Sequence, residues 1–139
     1  MLAAVATFAS GLDGGLGCSV HTGHQALKTC SVEQLVQKMK ENPKDSKVIG
    51  HSSDALALMV QKSAENCANA GELGAIPAIL KAMDTLETDM WAQRYACALV
   101  GSLISGHDNC PRSNRDTLIE SGAQERVERA LANGATDHY

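Results

Sequence analysis

The residues with the most chemical potential stand in Cys18-x-x-His21-x-x-His24-x5-Cys30. Two thiols and two imidazoles match the donor set of a tetrahedral zinc ion. Zinc sites, however, place like ligands in close pairs, whereas here the cysteines flank the histidines. Glycines 14, 15, 17 and 23 make the segment read as a loop between structural units. Cys18, His21, His24 and Cys30 are therefore the only metal candidates, and a zinc-binding module is the third reading of the chain.

No other group of residues assembles a reaction centre. Ser52 and Ser53 have no readable His–Asp company of the triad kind, and Asp13, Asp108 and Asp116 are isolated from any obvious base. His51 and His107 fall near helix ends and read as caps or solvated side chains. The glycine-rich stretch GLDGGLG follows a helical segment and lacks the Lys-Ser/Thr ending of a phosphate loop. The expectation is a chain that is not an enzyme and needs no cofactor.

Cysteines stand at 18, 30, 67, 97 and 110, an odd number at loose spacing, so no disulfide framework can be read. Cys67 and Cys97 fall in helical patterns, where a buried free thiol is usual. A reducing intracellular compartment is the expectation, with the particular compartment unassigned.

The elements that position these residues must be helices. Apolar residues form 44% of the 139-residue chain but aromatics only 3%, so a core has to be built from Ala, Leu, Ile, Val and Met. The net charge of −4 argues against a nucleic-acid footprint. No apolar run approaches the length of a membrane span. Met1-Leu-Ala-Ala-Val-Ala-Thr-Phe8 is apolar but has no basic flank, so it reads as a helix rather than a targeting segment.

An internal repeat sets the frame. Asn66-Cys-Ala-Asn-Ala-Gly-Glu-Leu-Gly-Ala75 and Asn114-Arg-Asp-Thr-Leu-Ile-Glu-Ser-Gly-Ala123 are offset by 48 positions. Each runs into an amphipathic stretch in which Ile79 matches Val127, Ala82 matches Ala130 and Met83 matches Leu131. An earlier copy, offset by 44, aligns Leu35 with Ile79 and Met39 with Met83. A further pair recurs: Ala98-Leu-Val-Gly-Ser-Leu-Ile-Ser-Gly-His-Asp108 matches Ala3-Ala-Val-Ala-Thr-Phe-Ala-Ser-Gly-Leu-Asp13 in its Ser-Gly pair and its Asp.

The spacing predicts helices. Ile76, Ile79, Leu80 and Met83 form one i, i+3, i+4, i+7 stripe, as do Leu35, Val36 and Met39 in shorter form. Pro77 suits a first turn, where its missing N–H removes no helical bond. Gly74 and Gly122 mark turns that need positive φ. Long helices are predicted over roughly 46–63 and 88–105, the second capped by Thr88 or Asp89 and ended by Gly106. Met90, Trp91, Ala96, Leu99, Val100 and Leu103 face its core. Met39, Met59, Met83 and Met90 read as core fillers.

The segments NRDTLIESGA, GELGAIPAILKAM and YACALVGSLISG resemble the armadillo repeat. The resemblance implies an all-α, right-handed solenoid of three-helix units, in a single domain over 1–139. The units are a partial repeat 1–20, repeats 21–65 and 66–111, a partial repeat 112–133 and a frayed tail 134–139. It departs from the family in an apparent insertion, Cys110-Pro-Arg-Ser-Asn114. The Trp and Asn positions with which nuclear-import members hold peptides fall here on Ala98 and Ser102, Ala3 and Thr7, and Ala57 and Gln61. Nuclear-signal recognition is therefore not implied.

A stack of such units leaves a concave face lined by the long helices. Its candidate contact residues are Thr7, Gln61 and Ser102, with Asp54, Arg94 and Tyr95 nearby. Trp91 is either a partner anchor or packs against the preceding helix. One unit cannot bury its apolar face alone. The apolar start lacks a polar cap, so a partner or further repeats would cover it. The expected function is a protein-interaction scaffold whose partners are other protein chains. The alternative is a structural subunit bound permanently in a large complex, organellar or membrane-associated.

Overall fold

A computed structural model describes residues 30–105 and 110–135. The described residues are helical, with no strand among them. Seven helices follow one another: α1 (Val32–Glu41), α2 (Ser46–Lys62), α3 (Ala64–Glu72), α4 (Ala75–Thr85), α5 (Met90–Ser105), α6 (Arg112–Glu120) and α7 (Ala123–Ala132).

Local chemistry starts most of them. Ser31 and Gln34 form a reciprocal capping box at α1, with Ser31 N donating to Gln34 Oε1 at 2.8 Å and Gln34 N to Ser31 Oγ at 3.1 Å. Asp45 accepts from Val48 N, and Ser63 accepts from the amides of Glu65 and Asn66. Of the two predicted caps for α5, Asp89 does the work, accepting from Ala92 N at 3.0 Å.

The sequence offset of 48 has a counterpart in the helix boundaries. α3 and α6 are both nine-residue helices, and their starts, Ala64 and Arg112, are 48 positions apart. Each ends on a glycine in the left-handed region, Gly74 at φ 88° and Gly122 at φ 79°, which turns the chain into α4 or α7. Any side chain there would meet its own backbone. Pro77 sits in the first turn of α4, as its missing donor requires. α3 begins at Ala64 because Ser63 supplies its cap.

The core is aliphatic, as the composition demanded. Leu35, Met39, Leu56, Ile79, Met83, Leu99 and Leu103 are all fully buried. The most extensive packing joins the two long helices, α2 and α5. Their contact is close because Gly50 leaves room for the Trp91 indole, which a Cβ at 50 would overlap. Trp91 thus packs on α2, the earlier long helix, whereas the expectation names the helix just before its own. His51 lies inside α2 against that same ring rather than at a helix end.

Two expectations about the chain are corrected. Cys67 is not a free thiol: it forms a disulfide with Cys110, Cα–Cα 5.7 Å, which ties α3 to the residues entering α6. Cys30 is disulfide-bonded as well. Sequence spacing could not show this pairing, because only the fold brings positions 43 apart together. Such bonds persist in oxidising surroundings, so the reducing compartment loses its support. Residues 134 and 135, where a frayed tail was expected to begin, are held by the fold. Gly134 turns at φ 92°, Ala135 N donates to Ala130 O, and Ala135 is buried.

Candidate interaction surfaces

The first surface is the face shared by α2 and α5. Trp91 stands edge-on to His51 and to Tyr95, with both ring centroids 5.1 Å away. All three rings are half-buried, so they present an aromatic ridge with polar tips. Asp54 is half-buried one turn further along α2. At the far end of the two helices Gln61 Nε2 donates to Ser102 Oγ at 2.9 Å, and Ser102 donates to Ala98 O at 2.9 Å. Ser102 is buried, so this pair links the helices while only Gln61 stays exposed. Arg94 is also engaged internally, donating from Nε to Ala135 O at 3.1 Å.

Of the predicted contact residues, Trp91 and Tyr95 therefore share one end of this face, Gln61 and Ser102 the other, and Asp54 stands at the middle of α2. Thr7 lies outside the described residues. So do His107 and Gly106, and so do Cys18, His21 and His24. The fourth zinc candidate, Cys30, is buried and disulfide-bonded, which removes the thiolate that a zinc site would need. Ser52 and Ser53 are fully buried in α2, shut away from any substrate.

The second surface is a groove of about 360 Å³ bounded by α5, α6 and α7. Val100 and Ile104 of α5 and Leu118, Ile119 and Val127 of α6 and α7 form its floor. Ile104 is 40% exposed and Ile119 61%, two of the four large apolar side chains exposed among the described residues. Cys97 faces the same groove, and burial pushes its thiol up to about 11, so it is no nucleophile near neutrality.

Comparison of the two copies explains the groove. Leu118, Ile119, Gln124, Val127 and Glu128 stand 48 positions after Ala70, Gly71, Ile76, Ile79 and Leu80. In the first copy Ala70, Ile76, Ile79 and Leu80 are all buried, and α5 rests on α2 and α4 and reaches α3 where Cys67 Sγ contacts Leu103 O. In the second copy no described helix takes the place of α5. The outward positions have turned polar there, Ile76 becoming Gln124 and Leu80 becoming Glu128, while the floor stays apolar.

Two internal ties were not anticipated from sequence. Asp84 of α4 receives Arg126 of α7 at 2.9 and 2.8 Å and Arg129 at 3.1 Å. The Arg126 hydrogen bond, aided by Arg129, holds the Asp84 carboxyl below the usual range, and the same pairing raises the Arg126 guanidinium. Gln93 is buried and donates to the carbonyls of Met83 and Leu86, both at 2.8 Å, closing the end of α4. Lone polar residues in helical runs gave no sign of these roles.

No described helix is long and apolar enough to cross a membrane. No protein-family model, curated protein or solved structure matches the chain.

Proposed function

We propose that the chain is a non-catalytic scaffold for protein–protein contact, built as a right-handed armadillo-type solenoid. One observation carries this reading: a helix, a left-handed glycine and a second helix recur at an offset of 48, with α5 resting on the first copy and no described helix in the equivalent place on the second. Units that share cores with their neighbours form elongated surfaces, and such surfaces hold other macromolecules. The disulfides suit a scaffold that works in an oxidising setting.

Photo-crosslinking side chains placed at Tyr95 and at Ile119, in the native source, test the reading. It expects protein adducts at one or both positions, well above those at an outer-face control such as Lys81. Equal labelling at all three contradicts it. A second reading, a permanently bound structural subunit, draws on Ser102 and Arg94, which already serve contacts within the chain. It predicts crosslinks at both ends of the stack and none on the α2–α5 face.

A further inference from the structure

The groove at the α5–α7 end is the equivalent of a seat that is filled one unit earlier. The filled seat takes a long helix, α5, whose second half reads Ala98-Leu-Val-Gly-Ser-Leu-Ile-Ser105. The empty one keeps an apolar floor of Val100, Ile104, Leu118, Ile119 and Val127. A helix of α5 character is what such a floor accommodates, because ridges of small and large apolar residues interlock with those of neighbouring helices.

The chain carries a second sequence of that character. Residues 3–13 match 98–108 in register, with Val5 on Val100, Phe8 on Leu103 and the same Ser-Gly pair and Asp. No charged residue precedes Asp13, so the segment suits an apolar floor. It is joined to α1, and α1 packs on α2, α3 and α4, whereas the groove is bounded by α5, α6 and α7. In repeat order the segment comes before α1 and the groove comes after α5, so the repeat reading makes a second molecule the donor, and folding back through residues 14–31 is the competing outcome. The two are also complementary in kind: the groove is bounded by a first and a second helix, and residues 3–13 carry the sequence pattern of a third.

We propose that the α5–α7 groove binds residues 3–13 of a second copy of this chain, so that molecules join head to tail and complete one three-helix unit across each junction. This rests on the repeat reading above and deepens it. The contact is heterologous, since two different surfaces meet, and so it extends into open assemblies rather than closing as a symmetric dimer. Arg115 and Glu128 flank the floor with opposite charges and set no net charge on the occupant.

Sedimentation of the full chain tests this directly. The parent should form species whose mass grows with concentration. Ile119→Glu, at a position exposed in the single chain, should weaken association at least about tenfold while leaving the helical signal unchanged, since a charge would then be buried on docking. Phe8→Glu should do the same. Mixing the two variants is decisive: one retains the groove and the other the segment, so the mixture should form a complex of two chains and stop there. If Phe8→Glu disturbs folding, a free peptide of residues 1–13 should instead cap the parent and reduce its mass. A parent that stays monomeric overturns the proposal, as does a mixture that never pairs. Concentration-independent protection of a label at position 119 also overturns it, because the segment would then fold back within its own chain. The repeat reading is tested separately by a chain that carries a second copy of residues 86–105 after Asn133, whose unfolding midpoint rises only if the copy completes the unit.

Discussion

Asn114 Nδ2 donates to the Cys67 carbonyl oxygen at 2.9 Å, joining α6 to α3 across 47 positions of sequence. Gly71 makes this possible, because a Cβ there would overlap the Asn114 amide. The repeat-equivalent Asn66 does something different, donating to Met59 O at 2.8 Å at the end of α2. Asn114 is buried and Asn66 half-buried. Asn114→Ala should therefore cost about 1–2 kcal/mol and Asn66→Ala less, as read from denaturant midpoints. The reverse order would mean that the α3–α6 contact is not formed.

The Cys67–Cys110 disulfide restrains the same junction. Closing a loop of 43 positions removes enough unfolded-state entropy to contribute about 4 kcal/mol in the chain-entropy account, with about 2 kcal/mol a realistic lower figure. Replacing both residues by Ala should lower the melting temperature clearly and leave the helical content intact. An unchanged melting temperature in the double variant would show that the bond does not restrain the native chain.

Trp91 and Gly50 define the closest approach of the two long helices. Gly50→Ala forces the indole outwards and should destabilise by about 1–3 kcal/mol, the usual range for overpacking. Combining it with Trp91→Leu should recover part of the loss, a non-additivity that a double-mutant cycle measures. Gly101→Ala is the control: nothing lies within 4 Å of its Cβ position, and the exposed helical site should gain about 0.5–1 kcal/mol.

Stability should depend on pH at both extremes. The folded-state value of Asp84 is depressed by Arg126 first and Arg129 after it, so its contribution is present above the unfolded value of 3.8 and is lost as pH falls through the folded one. Its side chain is 46% exposed, so Asp84→Asn should remove less than about 1 kcal/mol. Cys97 works in the opposite direction. Its folded value is raised by burial, so stability is complete below the unfolded value of 9.0 and falls as pH rises towards about 11. Difference curves between parent and Asp84→Asn, or Cys97→Ala, should isolate the acid and alkaline limbs. A flat difference would remove the assigned cause.

The helices were legible because their signals are local. The Ile76–Met83 stripe, Pro77 in a first turn and the need for positive φ at Gly74 and Gly122 can all be read from neighbours within a few positions. The repeat offset added the correspondence of α3 with α6. What sequence could not supply was pairing at a distance. The Cys67–Cys110 bond, the Asp84–Arg126 tie and the place of Gln93 depend on which helices lie side by side. Gln61 and Ser102 were correctly set on the two long helices, but their hydrogen bond to each other shows only once α2 and α5 are stacked. The groove was missed for a related reason. The changes from Ile76 to Gln124 and from Leu80 to Glu128 were visible in the repeat, but they signify an uncovered unit only when α5 is seen resting on its counterpart.

The central claim, that α6 and α7 form a unit lacking the helix that α5 supplies to the preceding one, is open to a direct measurement. A chain in which residues 86–105 are repeated after Asn133, in place of the present tail, should fold that copy into the groove. Urea unfolding should then show a higher midpoint and a larger m-value than the parent, with a label at position 119 protected, because each added element completes a shared core. An added segment that stays unfolded, with midpoint, m-value and labelling all unchanged, would contradict the account.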